Sequence, residues 1–72
     1  MASDERGKLK TLLNYWIEHN REHSQEFREW SGKVRGLGET EVSQDIAEAV
    51  EEMDRVSEIL SRALSRLEGK EG

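Results

Sequence analysis

The chain has 72 residues, no proline, no cysteine and a formal net charge of −5. This length allows one small domain, too small to hold both a catalytic cleft and its scaffold, so we expect a protein that is not an enzyme. Residues 37–72 carry ten acidic against four basic residues, and such an acidic half repels nucleic acids and anionic lipids. Because no apolar segment is long enough for a signal peptide or membrane span and cysteine is absent, we expect a cytoplasmic protein that binds neither nucleic acid nor membranes.

The first half predicts a polar, disordered tail over residues 1–7 and then a helix over about residues 8–35. Its apolar residues recur with heptad spacing, which is typical of a helix with one buried face. Two heptad positions form the face: Leu13, Asn20, Phe27 and Val34 at one, and Leu9, Trp16, His23, Trp30 and Leu37 at the other.

Glycines at 36 and 38 predict a loop over about residues 36–39, because glycine readily adopts the left-handed backbone that ends a helix. Leu37, between them, can pack back on the preceding turn. Thr40 is a possible N-cap of a second helix over about residues 40–68. Residues 69–72 are a second predicted disordered tail.

The second helix repeats the heptad pattern. Its two apolar positions are Ile46, Met53, Leu60 and Leu67, and Val42, Ala49, Val56 and Ala63. An antiparallel fold places Trp30 opposite Ala49 and Trp16 opposite Ala63, so that large residues meet small ones. The sequence therefore predicts an all-α, antiparallel two-helix hairpin with both tryptophans in its core.

Further apolar and small residues lie beside the apolar heptad positions of the two helices. Ser24, Ser31 and Ser57 are expected to let the helices approach closely. A lone hairpin would leave the flanking apolar residues largely exposed: Leu12, Ile17, Val50, Ile59 and Leu64. We therefore expect a homodimer in which two hairpins form a four-helix bundle, with cover by a different protein as the alternative.

The segment from residue 18 to 26 holds the polar residues that depart from plain packing. His19 and His23 are four residues apart, so their rings share one side of a helix. Glu26, seven residues beyond His19, falls on the same side, and Glu22 neighbours both histidines. Two imidazoles with a carboxylate can bind one divalent transition ion, and we expect nickel or zinc. An antiparallel second hairpin would complete four ligands.

The same residues support a second interpretation without a metal. A polar residue at a heptad core position fixes helix register and oligomeric state. Asn20, beside Leu60, fits that role, and His23, opposite Val56, is then a partly buried imidazole. Metal binding and an oligomerisation or adaptor role both remain open.

The segment from His19 to His23 also matches the H-x-x-E-H pattern of one class of zinc metallopeptidases. Those enzymes need a distant third carboxylate ligand and a substrate cleft. A chain of this size cannot build that cleft, so we exclude the peptidase interpretation.

The stretch W-I-E-H-N-R-E-H at residues 16–23, with Phe27 and Trp30 after it, resembles a small helical-hairpin family of archaea and bacteria. The resemblance covers about residues 9–67. Members of that family occur alone or attached to nickel-binding accessory proteins linked to carbon monoxide dehydrogenase maturation. The resemblance implies metal association and a protein partner in metallocentre maturation. Relatives often carry a further histidine where this chain has Tyr15, so one potential ligand is missing.

Overall fold

A computed structural model describes residues 3–69, which form two helices joined by a short turn. Helix α1 spans Ser3–Gly36 and helix α2 spans Thr40–Gly69. The two helices run side by side in a rod 53 Å long and 14 Å in each other dimension. The predicted all-α hairpin is confirmed.

Helix α1 begins earlier than predicted. Residues 3–7 belong to the helix rather than to a disordered tail, and Asp4 and Glu5 lie in its first turn. Carboxylates there favour the positive end of the helix dipole, which explains the early start. Helix α2 ends at Gly69, one residue later than predicted. The remaining predicted tail residues, 1–2 and 70–72, lie outside the described residues.

The turn between the helices follows from the glycine at position 38. Its φ of 89° is left-handed, a region that glycine enters without steric penalty. The Gly38 N–H donates to the Arg35 carbonyl at 3.0 Å, and the Glu39 N–H donates to the Val34 carbonyl at 3.2 Å. This pair of bonds is the Schellman closure of a helix C-terminus. The predicted glycine stop is therefore confirmed.

Two details of the turn differ from expectation. The Glu39 carbonyl accepts the first helical bond of α2, from the Ser43 N–H at 3.0 Å, so Glu39 is the N-cap and Thr40 is the first helical residue. The side chain of Leu37 is 78% exposed and does not pack back on α1. Backbone bonds alone close this turn, which leaves the leucine free to point outward.

The line of contact between the helices differs from the predicted core. The buried side chains are Leu13, Ile17 and Ser24 on α1, and Ser43, Val50 and Ser57 on α2. Trp16 and Trp30 were predicted to lie in this core, but they are 42% and 51% exposed. Small serines on the contact line let the backbones approach, and α1 is turned so that its tryptophans lie beside the contact. The predicted burial of the tryptophans is wrong for a single hairpin.

Serine hydroxyls tie the two helices together near the turn. The Ser31 Oγ donates to the Ser43 carbonyl at 3.0 Å, and the Ser43 Oγ donates to the Ser31 carbonyl at 2.9 Å. Further along, the Ser24 Oγ donates to Asp54 Oδ1 at 2.7 Å, and Arg28 pairs with the same carboxylate. Such short reciprocal bonds require close backbones, as the serine pattern predicted.

The flanking apolar residues divide into two groups. Ile17 and Val50 are buried, so their predicted exposure is wrong. Leu12 and Ile59 are exposed, as expected, and Leu64 is half-buried. The surface that a partner would have to cover therefore differs from the set of flanking residues that was predicted.

Candidate metal site and open apolar face

Asn20 joins the two helices at the middle of the hairpin. Its Nδ2 donates to the Met53 carbonyl at 2.6 Å and to the Ser57 Oγ at 2.9 Å. Both bonds are partly buried and span more than thirty positions of sequence, so a register shift between α1 and α2 would break them. The side-chain amide is thus used for the alignment of the hairpin, as the register interpretation expected of this residue.

His23 has a different environment from Asn20, although both were predicted core positions. Its ring is exposed and points along α1 to His19, with 3.0 Å between the two Nε2 atoms. Which Nε2 donates a hydrogen bond to the other depends on the tautomers of the two rings. The four-residue spacing on a helix brings the rings together, with centroids 4.5 Å apart. The two histidines therefore form one exposed pair with both Nε2 atoms side by side.

The pair belongs to a ladder of rings at four-residue intervals along α1. Tyr15 lies 5.4 Å from His19, and Phe27 lies 6.4 Å from His23, measured between ring centroids. Each four-residue step advances by about 40° around a helix. The ladder thus runs from the exposed tyrosine to the half-buried phenylalanine.

A groove beside the pair contains residues from both helices. It is lined by Trp16, His19, Asn20, His23, Val56 and Leu60. The histidine pair therefore sits at the edge of an open apolar groove, reachable by an ion from solvent or by another chain.

The two predicted carboxylate ligands are not grouped with both histidines. Glu22 lines a separate groove with Tyr15, Glu18 and His19, and Glu26 lies beside Trp30 and Ile46. Within residues 3–69 no cluster of three or more histidine, aspartate or glutamate side chains is arranged to hold a metal ion. In one chain, the structure brings together two of the four predicted ligands.

The distance between the two Nε2 atoms is compatible with a chelate. Imidazole nitrogens bind zinc at about 2.0–2.1 Å, so two of them at a right angle around an ion lie ~2.9 Å apart, and at a tetrahedral angle ~3.3 Å apart. The observed 3.0 Å lies within this range. The 3.0 Å contact is a hydrogen-bond distance, so to bind one ion the two rings would turn until both nitrogen lone pairs point at it.

The groove is part of a larger apolar surface, which we call the open face. It consists of exposed or half-buried residues from both helices on one side of the hairpin: Leu12, Trp16, Phe27, Trp30, Ile46, Val56 and Leu60. The opposite side is polar, with a groove lined by Arg21, Asp54, Ser57, Glu58 and Ser61. One side of the rod is thus mainly apolar, and the groove on the other side is lined by polar residues.

The sequence pattern did not reveal this two-sided character, because it placed the tryptophans between α1 and α2. The spacing of Ser24, Ser31, Ser43 and Ser57 was the available signal. A line of small residues marks where two helices touch, and the large residues beside it then face outward. The open face and its histidines follow from that placement.

Neither helix meets the length and hydropathy needed to cross a membrane, within the part of the chain that the structure describes. The fold is a small, all-α hairpin, and it carries an exposed pair of histidines on α1. Residues 9–67 match the family described as "Domain of unknown function (DUF8180)". The chain belongs to this family.

A relative from an archaeon has a similar number of residues. The chain is 37% identical over 57 residues to a protein of Archaeoglobus fulgidus that is named "Uncharacterized protein". The similarity covers 79% of this chain and 90% of the relative. No solved structure matches the chain.

Proposed function

We propose that this chain is a small, non-catalytic accessory protein that binds a divalent transition ion through His19 and His23. The observation that carries the proposal is the 3.0 Å distance between their Nε2 atoms at an exposed position. Neutral imidazole is a good ligand for nickel, copper and zinc, and affinity at nitrogen sites rises from nickel to copper. Nickel and zinc are the ions that we propose for this pair.

The incomplete ligand set suits an accessory role. Two imidazoles leave several coordination positions of the ion for water, for a partner chain or for a recipient protein. An ion held in this way exchanges more readily than one in a closed structural site. The resemblance of the W-I-E-H-N-R-E-H stretch to hairpins attached to nickel-binding accessory proteins supports the same role. A cytoplasmic partner in metallocentre maturation is the corresponding part of the proposal.

The proposal includes self-association through the open face. Two hairpins that cover each other's exposed tryptophans would form a four-helix bundle, with helices in the favoured antiparallel packing. The small buried core supports this assembly. A chain of about 70 residues without disulfides seldom stabilises itself by more than ~3–5 kcal/mol, and the buried apolar side chains of residues 3–69 are just Leu13, Ile17 and Val50.

Calorimetric titration with Ni(II) and with Zn(II), near neutral pH, tests the metal proposal. We expect the unaltered chain to bind at least one of these ions, and we expect this binding to be lost in His19→Ala and in His23→Ala. Glu22→Gln and Glu26→Gln test the predicted carboxylates separately. Asn14→Ala is a control, because this exposed asparagine bonds only to the Lys10 carbonyl of its own helix. Binding that survives both histidine substitutions would refute the proposal.

An adaptor or oligomerisation module is the second candidate function. The observation that favours it is the Asn20 side chain, which is bonded to Met53 and Ser57 and so aligns the hairpin without any metal. In that case the open face alone recruits a second chain, and the histidines contribute only at its edge. Unaltered assembly in the double variant His19→Ala/His23→Ala, together with no heat of metal binding, is the result that selects this function.

A further inference from the structure

The side of the rod that carries the open face has about the area that one chain contributes to a stable dimer interface. The rod is 53 Å long and 14 Å wide at the level of its backbone, so one side has a projected area on the order of 700 Å². A standard stable interface buries about 800 Å² on each partner. The face carries two half-exposed tryptophans, the residue type that most often dominates interface energetics. A second hairpin matches both the length and the chemistry of this surface.

The positions of the exposed residues on α1 define where a two-fold axis would pass. Leu12 and Trp30 are both about half exposed, and each lies nine positions from residue 21. That residue is midway between His19 and His23, and it is close to the centre of Ser3–Gly36. A two-fold axis across α1 at this level places Trp30 of one chain at the same height along the bundle as Leu12 of the other chain. It also keeps almost the whole length of both rods in contact.

We infer that the two histidine pairs meet at this axis and that one divalent ion is shared by four imidazoles, two from each chain. This inference rests on the proposed function, because it requires that His19 and His23 bind metal. Each chain supplies the pair with 3.0 Å between the Nε2 atoms. The second copy supplies the ligands that the described part of one chain lacks. The ion is then bound by the dimer rather than by the hairpin.

A different dimer is possible on the same face. If the two turns lie at the same end of the bundle, α1 of one chain lies against α2 of the other, and the two histidine pairs are separated. Each pair then keeps two ligands. The inferred arrangement places the acidic α2 segments side by side, so the dimer should be weaker at low salt than at physiological salt. In this dimer the histidine pair of one chain faces the histidine pair of the other chain. In the alternative dimer each pair would face an apolar helix.

Sharing an ion couples metal binding to dimer formation. The ion binds the dimer more tightly than the single hairpin. By thermodynamic linkage, metal raises the affinity between the two chains by the same factor by which dimerisation raises the affinity for metal. Couplings of this kind typically amount to about 5–150-fold. We expect Ni(II) to lower the dimer dissociation constant by at least ~10-fold.

Native mass spectrometry of the full chain with Ni(II), combined with sedimentation equilibrium, tests this inference. We expect one ion per two chains and a dimer that metal strengthens. One ion per single chain, or two per dimer with no change in dimer affinity, would overturn the shared site while leaving the proposed metal function intact. No binding at all would overturn the proposed function as well as the shared site.

Trp30→Glu provides a second check that leaves both histidines unaltered. A carboxylate in the open face should separate the chains, while the helices keep their contact line, because Trp30 lies beside that line. Circular dichroism shows whether the hairpin remains helical. We expect this variant, and also the milder Trp30→Ala, to lose at least ~10-fold in nickel affinity through the coupling. Monomeric variants with unchanged nickel affinity would overturn the shared site.

Discussion

Truncation of Trp30 to alanine tests whether the open face holds two chains together. The indole is 51% exposed in the single hairpin, with the Lys33 Nζ 4.7 Å from its ring centroid. A tryptophan side chain offers up to ~250 Å² for burial, so about 125 Å² remains to be covered by a partner. At ~25 cal/mol per Å² this area corresponds to ~3 kcal/mol per chain. Two copies give an upper limit of ~6 kcal/mol per dimer.

We expect the dimer dissociation constant of Trp30→Ala to rise by at least ~100-fold, equivalent to ~2.7 kcal/mol. Sedimentation equilibrium over a range of chain concentrations measures this change. Tyr15→Ala is the matched control, because Tyr15 is an exposed aromatic residue at the solvent end of the ring ladder. Equal dissociation constants for Trp30→Ala and the unaltered chain would refute the reasoning, as would an equal loss in the tyrosine control.

Three further predictions concern the hairpin and its site. Asn20→Ala should lower the free energy of unfolding by ~1–2 kcal/mol through loss of its two interhelical bonds, whereas Asn14→Ala should change it by less than ~0.5 kcal/mol in the same urea titration. Gly38→Ala should destabilise the hairpin by ~1–2 kcal/mol, because the φ of Gly38 is left-handed. Gly32→Ala should stabilise it by up to ~1 kcal/mol, because Gly32 lies within a helix and has open space around its Cβ position. Thermal melts in which the two variants shift in the same direction would contradict this. Nickel affinity should fall steadily as the pH is lowered below neutral, because protons compete for the imidazole nitrogens, and calorimetry that shows no pH dependence would exclude histidine ligands.

The two helices and their turn were predictable because their signals are local. Heptad spacing marks the helices, and Gly38 at the end of α1 supplies the left-handed residue that the chain reversal needs. The start of α1 was missed, since acidic residues at positions 4 and 5 extend the helix through a segment that lacks apolar periodicity. Local charge, rather than the core pattern, decides where that helix begins.

The partition of the apolar residues was not predictable from periodicity. A heptad pattern identifies which residues avoid water, but it does not say whether a neighbouring helix or another chain covers them. In this hairpin Ser24 and Ser57 occupy the contact line and are almost completely buried, so Trp16 and Trp30 face outward. Serine is small enough for the backbones to approach, and its hydroxyl then forms hydrogen bonds across the contact between the helices.

The candidate site was predictable in part for the same reason. Four-residue spacing on one helix is enough to place His19 beside His23, because the helix itself sets that geometry. The carboxylates at 22 and 26 depend on rotation about the helix axis and on side-chain direction, and the structure places them in separate grooves.

A distance between the turns of two chains tests the central claim, that a second copy covers the open face about an axis at the histidine pair. The chain has no cysteine, so a spin label on Glu39→Cys, at the exposed turn, is the sole label in each chain. At ~1.5 Å per residue the turn lies about 25 Å from the level of residue 21. Pulsed dipolar spectroscopy should therefore give about 50 Å between labels. A distance below ~25 Å, or no dipolar coupling at concentrations where dimer is expected, would contradict the account.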